Sequence, residues 1–478
     1  MWIKWCFLAD RNELVKQTVR EYSGFVDDED EVTATRNSHK LLTALLDPKL
    51  RLIVTSIQKM DNVARMGKQH KLGKTNIVFI VDEAHRSTSG EMLMRIRQVY
   101  PTAVWFGFTG TPILLDEQSN TKTADLFGNP LHIYSVADGI LDKNVLGFEV
   151  RQNFPIPKKK LRDAVALWKD KDRGEVYRDW INPKKVSDLE IEQELSKEFY
   201  NKEEWVEQVS QYILDVWEQN SDNCKFSAML AVNDIRLANR YFNILKQNEL
   251  GLKIAVIYDP NGDYDEGSFE DSSELENAII HYNQQFGMYF GLDTIVQYKE
   301  DLMNRLARRD EYKKITTEQP EKQLDLVIVV WQLLTGFDAP YVNTLYLDKT
   351  LDYANLIQAF SRTNRILNND KPQGIIEYFR TPIRMEQNIE TAFKLYSNKS
   401  ESGAFFVPTK QENIAKINST FADIACLFPK KEDLESGEIL SDFSYLPKDE
   451  EAQKQFAKFF NELEKNNDCS SSARGELG

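Results

Sequence analysis

Cysteine is scarce. The 478 residues hold four, Cys6, Cys224, Cys426 and Cys469, with no Cys-x-x-Cys spacing and no histidines beside them. That scatter excludes a zinc site built on cysteine pairs and a disulfide framework. No apolar run is long enough to cross a bilayer, and the first seven residues lack the basic flank and cleavage pattern of a secretory signal, so a cytoplasmic protein with no membrane partner is expected. Positive charge is also short, with 60 Lys and Arg against 75 Asp and Glu and a net charge of -15. Such a deficit argues against a partner held through its phosphates, because that binding runs on Lys and Arg. The distribution softens the objection: residues 1–150 carry 18 basic and 19 acidic side chains, so the acid excess lies downstream. A local groove can still grip nucleic acid.

What is present is ordinary globular protein, 41% hydrophobic and 28% charged, and too long for one hydrophobic core. Strands are predicted over 3–9, 52–56, 77–81 and 104–109, with helices over 11–22 and 91–99. Such alternation predicts a parallel sheet flanked by helices. The nearly apolar strands 77–81 and 104–109 predict burial on both faces. From 151 to 201 the pattern decays into charged clusters around Trp168, Tyr177 and Trp180, which reads as a helical insert or linker.

A second alternation follows, with helices over 205–219, 234–247, 275–286 and 353–364. Its strands are read at 226–232, 254–258, 324–330, 344–347 and 374–379, and 259–273 reads as a surface loop. Beyond 381 the sequence is helical and amphipathic, as in 385–396 and 452–464. A small polar tail from Asn466 onward has no packing pattern, and disorder is its default reading. The expected divisions are 1–150, 151–204, 205–384 and 385–478.

Four motifs carry chemistry. Asp82-Glu83 follows the apolar run Ile77–Val81; alone, such a pair serves equally well as a helix cap. Downstream lie Gly107-Phe108-Thr109-Gly110-Thr111-Pro112, then Leu334-Thr335-Gly336-Phe337-Asp338-Ala339-Pro340, then Gln358-Ala359-Phe360-Ser361-Arg362-Thr363-Asn364-Arg365. In that order they point to Mg-nucleotide chemistry. Ligands of parallel sheets sit at the carboxyl ends of strands, where Asp82, Glu83, Thr109 and Thr111 fall. Phosphoryl transfer needs a held Mg²⁺, a positioned water and positive charge over the transferred group. Asp82 is read as orienting the metal through its water shell and Glu83 as the base that polarises the water. His85 either senses the nucleotide or caps a helix. Thr109 and Thr111 are placed to bridge the acid pair to the other domain. Arg362 and Arg365, three apart on a predicted helix, project from one face and suit a γ-phosphate as an arginine finger in cis, or are a surface pair.

The order and wording of these motifs resemble a superfamily two helicase-type motor with a DEAH box. The longer strings Phe7-Leu8-Ala9-Asp10-Arg11, Ile53-Val54-Thr55-Ser56-Ile57-Gln58-Lys59, Val81 to Ser87, Leu334 to Pro340 and Leu356 to Arg365 resemble the R subunit of type I restriction-modification enzymes. The likeness runs from residue 3 to about residue 465. It implies an α/β fold of two RecA-like parallel-sheet motor domains, at 1–150 and 205–384, followed by the start of a C-terminal helical region. It further implies ATP and Mg as cofactors and double-stranded DNA as the translocated partner. Methylation and specificity subunits are the implied assembly partners. By the same resemblance Asp10, Arg11, Thr55, Gln58 and Thr335 fall in DNA-tracking motifs. Gly336, Asp338 and Gln358 fall, with Arg362 and Arg365, on the nucleotide side.

The family pattern also has a phosphate loop, Gly-x-x-x-x-Gly-Lys-Ser/Thr, before the opening strand, and a nuclease domain before that. Neither occurs in this sequence. The stretch Gly67 to Thr75 spaces its glycines six apart where five are needed, and Gly73-Lys74-Thr75 reads as a turn. A truncated motor with negligible ATP turnover by itself is therefore expected. The alternatives are a fragment of another superfamily two translocase or a non-catalytic assembly remnant.

Overall fold

The computed structural model describes residues 3–9, 12–24, 32–34, 37–66, 76–84, 87–113, 122–195, 199–258, 269–367, 370–397, 405–408, 410–432, 439–444, 446–447 and 449–471. The chain divides into two units, Met1–Ser135 and Val136–Gly478.

The first unit is built on five parallel strands, β1 (Lys4–Ala9), β2 (Val32–Ala34), β3 (Leu52–Ser56), β4 (Ile77–Val81) and β5 (Val104–Gly107), in the order β2-β3-β1-β4-β5. Alternation within the strands sends Cys6, Leu8, Ile53, Phe79 and Val81 to one face. There they form a core with the helices Ser38–Leu46, Ile57–Arg65 and Ser87–Val99. The helix Asn12–Ser23 covers part of the other face, around Phe7 and Val54.

The strand at 104–107 departs from expectation. Val104 is 51% exposed and Phe106 37%, and Phe108 just beyond is 60% exposed. An apolar run was read as burial on both sides, but β5 is the edge of the sheet and one of its faces is uncovered. The strand also stops at Gly107 instead of 109, because the chain turns there toward Gly110.

The second unit holds a six-stranded sheet, all parallel: β6 (Phe148–Gln152), β7 (Ser227–Val232), β8 (Ile254–Ile257), β9 (Leu326–Val329), β10 (Val342–Asp348) and β11 (Gly374–Tyr378), in the order β6-β11-β10-β7-β9-β8. The central strands β7, β9 and β10 are buried along their whole length, in keeping with the apolar runs 228–232, 326–329 and 345–347 within them. β6 lies across residue 150 and joins this second sheet.

Residues 158–194 form the helices Lys158–Arg173 and Asp188–Glu194 around a short turn at Tyr177–Trp180. They dock on the second unit: the buried Glu192 accepts from the backbone N–H of Ile383 and Arg384 at 2.9 and 2.8 Å, capping the helix Pro382–Tyr396. Helices Lys410–Cys426 and Glu450–Ser471 pack together, beside a small antiparallel pair, β12 (Lys430–Glu432) and β13 (Ile439–Ser441). The last helix runs to Ser471, past the start of the predicted tail at Asn466. The predicted loop 259–273 lies outside the described residues up to 268 and is helical from Phe269.

The helix predicted over 353–364 ends at Phe360, so Arg362 and Arg365 are not on it. The Ser361 and Thr363 hydroxyls donate to the carbonyls of Ile357 and Phe360 (2.7 and 2.9 Å), competing with the continuing helix for those groups. The Asn364 carbonyl is taken by the N–H of Leu146 at 2.8 Å. Thr363 also packs so closely on β11 that a Cβ at Gly374 would collide with it.

Candidate nucleotide and nucleic-acid site

In the first unit the register places Thr55, Leu8, Val81 and Gly107 in one row across four strands, so everything just beyond them leaves the sheet at the same carboxyl edge. Asp82 donates its N–H to the Leu8 carbonyl at 3.0 Å and then turns away from the strand. Glu83 makes that turn at φ 50°, the left-handed region, which costs a non-glycine residue about 1–2 kcal/mol. Its N–H donates to Asp82 Oδ1 at 2.9 Å. The turn is laced to the β5 exit: Phe108 donates to the Val81 carbonyl (2.8 Å) and Ala84 to the Phe108 carbonyl (3.0 Å). Thr111, buried, donates its N–H to Thr109 Oγ1 at 3.1 Å. Burial pushes the Asp82 carboxyl above the usual carboxylate range, and the bond from the Glu83 amide partly offsets that.

The same edge carries Thr55, fully buried, and Ser56, whose hydroxyl caps the helix Ile57–Arg65 by accepting from the Lys59 N–H at 3.3 Å. Gln58 is exposed in its first turn. One carboxylate in this region escaped sequence reading. Asp61, buried, accepts from Arg65 Nε at 2.9 Å and from Arg95 Nε at 2.8 Å, tying the Gln58 helix to the helix Ser87–Val99. Burial alone would raise the Asp61 carboxyl, but the bonds and charges of Arg95 and Arg65 outweigh it and hold it below its ordinary value. Asp10, Arg11 and His85 lie outside the described residues.

In the second unit the predicted residues gather around the loop between β9 and β10. Leu333 and Gly336 both take positive φ, 65° and 71°, and Gly336 is the position where that conformation is free of strain. Arg362, buried, donates Nη1 to the Phe337 carbonyl and Nε to the Gln358 carbonyl, so it binds main chain on both sides. Arg365 is different. Its side chain is 43% exposed and its Nε lies 3.1 Å from Asp338 Oδ1, itself on a side chain 45% exposed. Neither of these atoms makes a bond of hydrogen-bond geometry, so the contact is an ion pair held by charge alone. Arg309 donates to the Asp338 carbonyl at 3.0 Å. Gly336, Asp338, Gln358, Arg362 and Arg365 thus share one region of the second unit. Asp82, Glu83, Thr109, Thr111, Thr55 and Gln58 share the carboxyl edge of the first.

Two buried lysines frame the loop and were missed. Lys371 donates Nζ to the carbonyls of Pro340 (2.7 Å) and Val342 (2.9 Å) where β10 begins. Lys349, just past β10, donates to the carbonyls of Val232 (3.3 Å) and Val330 (3.0 Å), where β7 and β9 have just ended, and its Nζ sits 3.4 Å from the Trp331 ring centroid. Burial lowers both, each to about 7. Beside Lys349, Asp348 accepts from Trp205, Tyr241 and Arg380 in a fully buried cluster. For Lys349 the available signal was the charged pair Asp348-Lys349 directly after the apolar Leu345-Tyr346-Leu347.

Comparison with known proteins supplies the family. Residues 3–171 match the SWI2/SNF2 ATPase family and residues 224–381 match type I restriction enzyme subunit R domain 3. A type I restriction enzyme endonuclease subunit of Staphylococcus aureus strain MSSA476 is 33% identical over 442 residues, covering 88% of this chain and 43% of the relative. One from Staphylococcus saprophyticus is 33% identical over 450 residues, covering 90% of this chain and 44% of the relative. The chain belongs with the R subunits of type I restriction enzymes. It spans less than half the length of these R subunits. Among solved structures, the ATP-dependent Type ISP restriction-modification enzyme LlaBIII bound to DNA aligns over 98% of this chain and 30% of its own, at 13% identity and a TM-score of 0.45. The R-subunit domain 3 match contains the whole loop from Leu333 to Asp338 together with Arg362 and Arg365. The ATPase match contains the Asp82-Glu83 turn.

Proposed function

We propose that this chain is the motor portion of a type I restriction endonuclease R subunit, which pulls double-stranded DNA at the expense of ATP. The observation that carries the reading is the Asp82-Glu83 turn, fixed by the Leu8 and Phe108 carbonyls at the strand-end edge that also carries Thr55 and Gln58. ATP with Mg²⁺ supplies the phosphoanhydride bond whose hydrolysis drives movement. Two adjacent carboxylates with oxygen donors only suit that hard ion, which is usually held by one or two carboxylates alongside phosphate oxygens.

In this reading Asp82 orients the metal's water shell, while Glu83 takes the proton of the attacking water. Arg365 exchanges its solvent-exposed partner Asp338 for phosphate charge, and Arg362 holds the loop that carries Asp338. Thr55, Gln58 and Thr335, with Asp10 and Arg11, track the DNA backbone. The nucleotide residues of this reading are Thr109 and Thr111 in the first unit, with His85 as sensor, and Gly336 and Gln358 in the second. The restriction complex adds methylation and specificity subunits as partners. The setting is the cytoplasm; no helix among the described residues is long and apolar enough to cross a membrane.

The sequence contains no phosphate loop of the family spacing, so the chain alone is expected to release phosphate from ATP at background rate. The test is DNA-stimulated phosphate release by this chain and by the same chain joined to the phosphate-loop segment of a Staphylococcus R subunit. The joined protein should turn over ATP in a DNA-dependent way, and Glu83→Gln should abolish that turnover. Unchanged turnover in the Glu83→Gln protein would remove Glu83 from the role of base.

A further inference from the structure

β6 is an edge strand, and its outer side is only partly used. Gly147 gives its carbonyl to Gly374 and Asn153 its N–H to Tyr378, both toward β11. The alternation of a strand then turns the backbone groups of Phe148, Val150 and Gln152 outward. Phe148 is satisfied: its N–H donates to Phe405 at 2.9 Å and its carbonyl accepts from Val407 at 2.7 Å, as a parallel bridge centred on Phe406. Among the described residues this segment makes no further backbone bond to β6. Beyond it the edge opens into a shallow, solvent-open groove. Val150, Ile389 and Phe406 supply apolar lining, and Glu386, Glu390 and Glu412 supply carboxylates against one Lys416. Glu386 and Glu390 lie one turn apart on the helix Pro382–Tyr396, where like charges repel and a cation between them is favoured.

We propose that this groove is a docking site for an extended, basic segment of another polypeptide, which adds to β6 as a further strand. Edge addition uses main-chain bonds for affinity and alternate side chains for specificity. Lysine and arginine suit the groove side because their aliphatic stems can lie on Val150 and Ile389 while their charges reach Glu386 and Glu390. The same carboxylates repel nucleic acid, which separates this surface from the DNA-tracking edge. The proposal goes beyond the motor reading, since no residue of the groove belongs to the nucleotide or DNA set.

The experiment is fluorescence anisotropy of the full chain with a labelled hexapeptide of alternating lysine and valine, alongside hydrogen exchange at the Val150 amide. Saturable binding is expected, with slower exchange at Val150. The double substitution Glu386→Lys and Glu390→Lys, on exposed helix positions, should weaken binding roughly tenfold or more, the loss of one charge-assisted bond or two. A glutamate-valine hexapeptide should not bind. No saturable binding, equal binding to the charge-reversed protein, or binding with unchanged exchange at Val150 would each overturn the proposal. DNA-stimulated ATP turnover of the joined protein is independent of all three, so the two readings fail separately.

Discussion

Lys349→Met tests whether an ammonium really sits desolvated at the carboxyl edge of the second sheet. The side chain is 2% exposed, and its Nζ has two carbonyls and the Trp331 ring as neighbours. Burial, only partly offset by Asp234, moves it from an ordinary 10.5 to about 7. A shift of that size corresponds to about 5 kcal/mol between the two protonation states. In the unfolded chain the lysine keeps its proton up to about pH 10.5; in the folded protein it releases it near pH 7. Between those values the unfolded state binds more protons, so stability rises with pH by about 1.4 kcal/mol per unit. The gain is complete above the unfolded value, is lost as pH falls to the folded one, and changes no further below it. Methionine does not titrate and keeps most of the contact with Trp331. Urea unfolding of both proteins at pH 6, 7, 8 and 9, followed by tryptophan fluorescence, should show the wild type gaining on Lys349→Met by roughly 3 kcal/mol from pH 7 to 9. A difference that stays constant from pH 6 to 9 would refute the desolvation argument.

Asp348→Asn should lower the unfolding free energy of the second unit, measured in urea, by about 3–5 kcal/mol, because Arg380 is left buried without its counter-charge; adding Arg380→Met should restore much of the loss. Arg365→Ala should reduce ATP turnover of the joined protein while leaving its melting temperature unchanged, since Arg365 is half-exposed and meets Asp338 through charge. Arg362→Ala should lower both, because the carbonyl of Phe337 loses a buried donor, worth about 1–3 kcal/mol. Equal effects of the two substitutions on melting would contradict the division of labour between them.

Strands were legible where apolar β-formers dominate: β1, β3 and β4 lie within a residue of their predicted limits, although Trp5 on β1 is 44% exposed. β5 shows the limit of that signal: Val104-Trp105-Phe106 is as apolar as β4, and composition does not say whether a strand has a neighbour or a cover on each side. The helices Ser38–Leu46 and Ile57–Arg65 went unread although Asn37 and Ser56, both good caps, accept from Lys40 and Lys59. The premature end at Phe360 has a local part, the Ser361 and Thr363 hydroxyls that compete for helix carbonyls, and a tertiary part, the Leu146 bond and the packing of Thr363 on Gly374, which no local pattern carries. The acid turn was legible because its two carboxylates are adjacent. The Asp61–Arg95 pair was not, being 34 positions apart.

That pair has a mechanical side. Sliding the Gln58 helix against the helix Ser87–Val99 would break the bonds from Arg95 and leave the buried Asp61 carboxylate to Arg65 of its own helix. Asp61 therefore acts as a rivet between the helices Ile57–Arg65 and Ser87–Val99, so that a displacement of one is shared by the other.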